Sequence, residues 1–589
     1  MARAWQRRTA VLWEESGAAE RLDQLLFSLV PGCRLPRPSE LVLPLLRARG
    51  VAGLRAAEAF LRGDCQDADP FVLAGMPQAI ERLRRALRHS ERVAVYSDSD
   101  VDGLTSAVVL AEGLRAAGFD PLVRIGDRLT EGYGLSVDGL SELAAQGARL
   151  VISSDCGISA VEEVHHARAL GMDVIVTDHH HVPQQTPEAV AVINPQQECC
   201  PYPYKELAGV GVAYKLVQAL FQDLGLSGSL ADIEEQIVEL VALGTVVDVA
   251  PLVGENRTLA MRGLARMQRA ARPGLQALAE RASVRLPALR TWHLGFIFGP
   301  RLNAAGRLGV SEVAYRLLAA QEPAEAGALA ERLERINQER LALLQRALDE
   351  ATAQVLQRPD RPLIFVAGEN WHPGVLGLVA MRLVERFERP AVVLQLSDAV
   401  CRGSARSVPG FHLVEALAAC RELLVRFGGH EQAAGFTVYR QDIPALRSRL
   451  ERLAEEALGP ELVSPPLEFD AVLRASYLRP DVVLAVWRLV QALEPFGHGN
   501  PEPVFVTRRV KLYDWRLMGA EQQHLRCTLT VDGGLVEAVG WGMAGLAASL
   551  PRGGLVDVMY TFDENEWNGE KRVRLRLVDV RPAQQDPGV

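Results

Sequence analysis

The sequence predicts a multidomain α/β protein: a parallel-sheet domain and a smaller α/β domain joined by a long helix, followed by a C-terminal β-barrel. Three observations carry this reading. Strand-length apolar runs alternate with helical patterns in two separate series. A long amphipathic stretch lies between the series. Beyond residue 500 apolar side chains alternate with polar ones at period two.

Residues 1–85 read as short helices and turns, with Leu41–Leu46 and Ala57–Leu61 as apolar segments and Pro44 suited to a first helical turn. Residues 86–320 form the first α/β series. Its candidate strands are Val93–Tyr96, Leu150–Ser153, Val174–Thr177 and Ala191–Ile193, with helices such as Thr105–Ala117 and Ala160–Leu170 between them. Over 321–358, Leu329, Leu333, Ile336, Leu344, Leu348, Ala351 and Val355 recur at helical spacing until Pro359 ends the pattern. This is the connector helix. Residues 359–460 repeat the alternation with Leu363–Ala367, Val375–Phe387 and Ala391–Leu394. In 461–589 the segments 503–518 and 524–541 read as strands. Val573, Leu575 and Leu577 alternate with Arg572, Arg574 and Arg576, after a hairpin turn at Asn568-Gly569.

With 589 residues the chain has room for three or four domains, and 48% hydrophobic with 23% charged residues is globular composition. The net charge of −9 argues against coating by nucleic acid, so any phosphate-binding surface is local. Only four lysines occur (Lys205, Lys215, Lys511, Lys571), leaving 60 of the 64 basic residues as arginine, a chain-wide bias without functional content. The eight cysteines form no C-x-x-C pair, no signal peptide is legible, and no apolar run reaches membrane-spanning length. A soluble cytoplasmic protein is expected.

The chemistry concentrates at Asp98-Ser99-Asp100-Val101-Asp102-Gly103. Three carboxylates crowded at a strand end repel one another unless a cation joins them. The pattern also opens an EF-hand loop, but the twelfth position is Val109 instead of Glu and the preceding segment is strand-like. A solvated acidic turn is the other reading, and it weakens as further signals recur at candidate strand ends. These are Asp155 before Cys156-Gly157, Asp178-His179-His180, and Asp248 within Ala242–Pro251. Each alone is an ordinary turn or surface feature. Oxygen ligands with one or two imidazoles suit Mn²⁺ or Mg²⁺ better than structural Zn²⁺, and there are enough for two ions. No P-loop and no dinucleotide fingerprint occurs.

These segments, together with Gly299-Pro300-Arg301-Leu302-Asn303-Ala304-Ala305-Gly306-Arg307, resemble the DHH phosphoesterase superfamily. Gly428-Gly429-His430 with Ala433-Ala434-Gly435 is similar to its DHH-associated domain. Pro495-Phe496-Gly497, Gly499-Asn500-Pro501-Glu502-Pro503 resembles the RecJ family within it, exonucleases that degrade single-stranded DNA from a 5′ end. The resemblance runs through nearly the whole chain in matching order. It implies two metal ions, Mn²⁺ favoured over Mg²⁺, held by Asp100, Asp102, Asp155, His179 and Asp248, with Asp98 a ligand or its close support. It places His180 near the scissile phosphate and Asp178 behind the imidazoles. Arg301 and Asn303, in a glycine-flanked turn, would contact phosphate, and Ser404, Arg406 and His430 would receive the 5′ phosphate. The family pattern has glycine at Ser97 and an aromatic at Ser99, and His181 extends the histidine pair as a loop residue.

The implied reaction is in-line hydrolysis of the phosphodiester by a metal-activated water, with Arg301 and the metals stabilising the developing charge. A passage between the lobes too narrow for duplex would give single-strand preference. The barrel, as an OB-fold, would add a track for the strand, with Trp515, Trp541 and Trp567 as candidate stackers and Arg572, Arg574 and Arg576 as backbone contacts. A monomer acting in DNA repair and recombination, with a helicase and a single-strand-binding protein as partners, fits that reading. Two rivals stand beside it: a DHH phosphodiesterase of short oligonucleotides or cyclic dinucleotides, and a non-catalytic DHH scaffold of a replication complex. The first would lack residues 461–589, and the second would lack metal ligands.

Overall fold

A computed structural model describes residues 3–13, 15, 17–65, 68–459, 466–567 and 570–583. The chain forms two compact units. One comprises residues 68–250 with 259–459. The other gathers the described residues of 1–67, 251–258 and 465–589.

In the first unit, five parallel strands lie in the order Leu122–Ile125, Val93–Ser97, Leu150–Ser154, Asp173–Thr177, Ala191–Ile193. Val93–Ser97 and Leu150–Ser154 are buried along their whole length, as strands covered on both faces must be. Helices Val101–Ala116 and Gly209–Asp223 and the long helix Ser227–Val247 share one core with that sheet. The register matters most: Ser97 is level with Ser154, and Ser154 with Thr177. Asp98, Asp155 and Asp178 are therefore the next residue on three adjacent strands.

Pro323–Leu356 is one continuous helix. Beyond it lies a mixed five-stranded sheet in the order Leu424–His430, Ala433–Tyr439, Val400–Arg406, Ala391–Gln395, Ile364–Gly368. Only Ile364–Gly368 and Ala391–Gln395 run parallel; the other pairings are antiparallel. Period two along Val400–Arg406 buries Cys401, Gly403 and Ala405 on one face and presents Arg402, Ser404 and Arg406 on the other.

In the second unit, Phe505–Met518, His524–Val531, Gly534–Gly540, Glu570–Pro582 and Leu555–Trp567 close into a barrel through the pairing of the first with the last. The segment 524–541 is thus two strands, because Asp532 and Gly533 take left-handed backbone and make a hairpin. The Asn568-Gly569 turn lies outside the described residues. The segment 1–85 also divides. Leu22, Leu26, Leu41, Leu45 and Leu46 share a core with Leu489, Leu493, Phe505 and Leu512, whereas Met76–Arg88 packs with the parallel sheet. Pro44 sits inside helix Ser39–Ala48, not in its first turn. Burial of Leu41, Val42, Leu45 and Leu46 outweighs the hydrogen bond and steric fit that proline forfeits, about 3 kcal/mol.

One consequence is testable by truncation. A fragment of residues 1–459 keeps the Leu22–Leu46 face without its partners, so it is expected to aggregate more than a fragment of 68–459. Gel filtration of the two decides; equal monodispersity would contradict the shared core.

All eight cysteines are unpaired. No described helix is long and apolar enough to cross a membrane.

Candidate metal centre and active site

The sheet delivers its acids in a row, and each is then turned differently. Asp98 and Asp155 extend the ladder by one more bond, donating backbone N–H to the carbonyls of Ser154 (3.4 Å) and Thr177 (3.0 Å). Asp155 adopts a left-handed φ of 58°. This conformation is costly for a residue with a Cβ and is kept where surrounding structure imposes it. Asp100 caps helix Val101–Ala116, accepting from the amide of Gly103 at 3.2 Å. Asp102, in the first turn, accepts from the amides of Gly209 (2.7 Å) and Val210 (2.9 Å), so one carboxylate fastens the start of helix Gly209–Asp223.

Asp248 arrives by another route. The run Ala242–Val247 is the end of helix Ser227–Val247, and Asp248 is its C-cap; it does not terminate a strand. A short buried apolar run has no periodicity to tell strand from helix. The small residue Gly244 lets this helix close on Val101–Ala116, since a Cβ there would lie 2.3 Å from Thr105 Oγ1 and 2.9 Å from Asp102 Oδ1. Gly244→Ala is accordingly expected to cost about 1–3 kcal/mol of stability and to weaken metal binding. Thermal melts with and without Mn²⁺ check both effects, and unchanged values would refute the packing argument.

The acids and imidazoles fall into three overlapping clusters whose ligand atoms lie within 4.8 Å of one another: Asp98, Asp100, Asp155; Asp155, His179, His180; and Asp102, His179, Asp248. Asp155 and His179 each belong to two clusters, the arrangement a pair of ions sharing ligands requires. Asp155 Oδ1 and His179 Nε2 are buried, 3.2 Å apart and without a hydrogen bond. Orphaned buried polar atoms are costly, and a cation between them would satisfy both. The donor set of carboxylates with imidazole fits Mn²⁺ or Mg²⁺.

Electrostatics point the same way. Burial, then Asp102, Asp100, Asp248 and Asp98, pushes Asp155 well above the usual carboxylate range. Burial, then Asp102, pushes Asp248 up to about 7. Burial would lower His179, but Asp102 and Asp248 hold it above its ordinary value. Without metal, Asp248 is partly protonated near neutrality and Asp155 is likewise biased towards its protonated form, and a bound cation must expel such protons. Metal affinity is therefore expected to rise with pH through about 7. Calorimetry in buffers of different ionisation heat should register net proton release; none would count against these ligands.

Asp178 is the organiser of the histidines. Its Oδ1 accepts from the amides of His179 (2.7 Å) and His180 (3.1 Å) and meets His180 Nδ1 at 2.8 Å, while Oδ2 accepts from the amide of Ile158 at 2.9 Å. Burial would raise it, but the bonds to His180 and Ile158 leave it below the usual range. His181 is exposed. Ser97, where the family pattern has glycine, is buried and donates to the Gly103 carbonyl at 2.6 Å. The hydroxyl is thus accommodated by a backbone partner.

Two residues here escaped the sequence reading, and a third, Arg307, was read only as the end of a motif, without a role. Arg128 Nε donates to Asp98 Oδ1 (2.9 Å) and Nη2 to Asp100 Oδ2 (2.8 Å), and Nη2 also meets Asp98 Oδ2. Both oxygens of Asp98 are thereby engaged, which suits it to support. Tyr133 Oη lies 3.1 Å from His180 Nδ1 and donates to the Asp155 carbonyl at 3.2 Å. Arg307 completes the group. With Arg128 it lines a cavity of about 570 Å³ that adjoins Asp100 and is also lined by Asn303, Arg402, Ser404, Arg406 and Arg426. Burial, then Arg128, Arg340 and Arg406, lowers Arg307 to about 10. So many guanidiniums facing one space favour a polyanion there.

Other expected contacts differ. Gly299–Arg307 is a helix, so Arg301 and Asn303 are not in a turn. Asn303 lines the cavity and accepts from the Val101 amide at 3.2 Å. Arg301 instead pairs with Glu334 at 2.8 Å and donates to the Ile297 carbonyl at 3.0 Å, away from the cavity lining. His430, exposed at the end of its strand, is not among the lining residues, although Gly428 is. In the barrel, Arg574 pairs with Asp563 (2.7 Å) and Arg576 with Glu502, so neither offers an uncompensated charge. Trp515 is part-buried under Arg552, whereas Trp541 is 48% exposed against His524. The Trp567 side chain lies outside the described residues.

Comparison with known proteins places this geometry. Residues 92–245 match the DHH family N-terminal domain, 360–456 the DHHA1 domain and 469–579 the RecJ OB domain. The chain is 37% identical to the single-stranded-DNA-specific exonuclease RecJ of Bacillus subtilis, over 92% of its own length and 68% of the relative's. It is 34% identical to the RecJ of Escherichia coli, over 92% and 97%. The chain belongs to the RecJ family. Its fold is similar to that of RecJ from Thermus thermophilus in complex with Mn²⁺, with a TM-score of 0.81 and 31% identity over 99% of this chain and 80% of that one. A second RecJ structure from that organism, in complex with Mg²⁺, gives a TM-score of 0.76 at 30% identity over 99% and 79%. The RecJ OB match makes the barrel an OB domain.

Proposed function

We propose that this chain is a metal-dependent exonuclease that hydrolyses phosphodiester bonds of single-stranded DNA in the 5′→3′ direction, in DNA repair and recombination. The observation that carries the reading is the meeting of the acid and imidazole clusters with an arginine-lined cavity at Asp100. Acids without the cavity would suit many phosphoesterases. The cavity supplies a place for a terminal phosphate beside the reacting one.

When bound, two ions, Mn²⁺ in preference to Mg²⁺, would activate water and neutralise charge developing on the phosphate oxygens. Asp100, Asp102, Asp155, His179 and Asp248 would hold them. Arg128 fixes Asp98 and Asp100 from one side, and Asp178 fixes both histidine amides from the other. His180, held at Nδ1 by Asp178 and beside Tyr133, would act as a hydrogen-bond donor or acid that aids departure of the leaving oxygen. Ser404, Arg406 and Arg307 would bind the 5′ phosphate, and Asn303 lines the same cavity. Direction follows from the pocket: a strand anchored by its 5′ phosphate presents the adjacent bond for cleavage. Arg301 acts by fastening its helix to Glu334.

Matches that continue through the OB domain, with every expected acid and imidazole present, favour this reading over a short-oligonucleotide phosphodiesterase or a silent scaffold. A cytoplasmic monomer assisted by a helicase and a single-strand-binding protein belongs to the same proposal. Digestion of single strands labelled at either end, with and without Mn²⁺, tests it. Mononucleotide release from the 5′ end only with metal is expected; release from the 3′ end, or none, overturns it.

A further inference from the structure

Two large aromatic side chains stand in water on the turn that leads to the active-site helix. Trp292 is 58% exposed and Phe296 70%, and their rings stack with centroids 5.8 Å apart at 26°. The turn is not loose. Thr291–His293 runs into a single π-helical turn, Leu294–Phe298, then directly into Gly299–Arg307. Leu294 and Phe298 are fully buried, so the segment is anchored from below while Trp292 and Phe296 face out. π turns are rare and recur at functional sites.

Its location links it to the metal centre. Gly299 packs on Val247, since a Cβ there would lie 2.9 Å from both methyl carbons. Val247 precedes the metal-binding Asp248, and Val249 follows it, 63% exposed with a left-handed φ of 63°. Left-handed backbone is strained for a β-branched residue and persists where its surroundings impose it. The turn that carries the two exposed aromatics is therefore packed against the end of the helix that delivers Asp248.

We propose that Trp292 and Phe296 form a stacking platform for an unpaired nucleobase of the substrate strand near the metal centre. The proposal rests on the single-strand hydrolysis inferred above and adds the base-binding element that reading lacks. Carboxylates, metals and arginines can hold only the phosphates, whereas the bases of a single strand bring π faces that need cover. Two nearly parallel rings already stacked offer such a face at little ordering cost, and stacking of this kind tolerates any sequence.

The test is steady-state hydrolysis by W292A/F296A of a natural strand and of strands carrying abasic sites scanned along the first nucleotides, with thermal melts to confirm folding. For the natural strand KM is expected to rise about tenfold, the scale of one lost base stack, with kcat little changed. At one abasic position the parent and the variant should become indistinguishable. A natural-strand KM equal to the parent's overturns the proposal, as does an equal rise on every abasic strand. A variant that turns an oligomer into a monomer overturns it too, by making a second copy of the chain the occupant. If the parent protein itself hydrolyses no single strand, the functional reading fails first, and that result is distinguishable from the others.

Discussion

Asp155→Asn is expected to abolish Mn²⁺-dependent hydrolysis while making the metal-free protein harder to unfold. Asparagine is chosen because it tolerates the left-handed φ of 58° and keeps nearly the same shape. Asp155 belongs to two of the three ligand clusters, so its loss damages both ion sites, and kcat should fall about a thousandfold or more. The stability gain has the opposite sign because the folded state holds this carboxyl well above the usual range. A raised folded pKa favours folding fully only below the unfolded pKa, and that contribution is lost as pH rises through the folded value. The advantage of the variant should thus grow from about pH 4 upward. Saturating Mn²⁺ should reverse the order, since only the parent gains binding energy. Melting curves across pH, with and without Mn²⁺, read all of this. Near-normal hydrolysis by purified variant would sink the assigned site.

Arg406→Ala should chiefly erase the advantage of a phosphorylated 5′ end. Arg406 projects from the same strand face as Ser404, is partly desolvated, and among the described residues donates to Ser404 Oγ and the Ala405 carbonyl. Burial lowers its pKa, and among the described residues no carboxylate offsets it. A charge kept this way is ready for an anion, and a charge-assisted hydrogen bond contributes about 1.5–3 kcal/mol. The ratio of kcat/KM for 5′-phosphate over 5′-hydroxyl strands should fall about 10- to 100-fold. Hydrolysis of 5′-hydroxyl strands should barely change, because Arg406 touches none of the metal-binding acids. An unaltered end preference would remove Arg406 from that role. The same assay on Arg307→Ala should cut both substrates, since Arg307 lies nearer Asp100 and repels Arg128.

The two halves of the site were unequally legible. Asp98, Asp155 and Asp178 could be read as a row because an apolar run ending in an acid is a local pattern, and parallel strands bring such ends to one edge. Asp248 was legible as a residue but not as a position: its apolar run carries no period, and only close packing against Val101–Ala116 makes it helix. Arg128 and Tyr133 left no signal because no motif surrounds them and arginine is the common basic residue of the whole chain, while Arg307 was legible only as the end of a motif, without a role. Arg301 misled for the same reason. A motif names a residue, and Glu334, thirty-three positions away, decides where its guanidinium goes.

Local chemistry in this sequence was enough to specify four of the five strands in the parallel sheet, the long helix, the period-two barrel and the demand for divalent cations, because periodicity and charge crowding act over a few residues. Leu122–Ile125 and the strands between Val400 and Tyr439 were not legible that way. Register, by contrast, depends on which strands pair, and charge compensation depends on which distant side chains arrive. Only the folded chain settles that Asp155 and His179 face each other unsatisfied, that Asp98 is taken by Arg128, and that Arg307 joins Arg406 in one cavity. Those are long-range contacts, and their energies arise from burial and neighbouring charge that no stretch of letters contains.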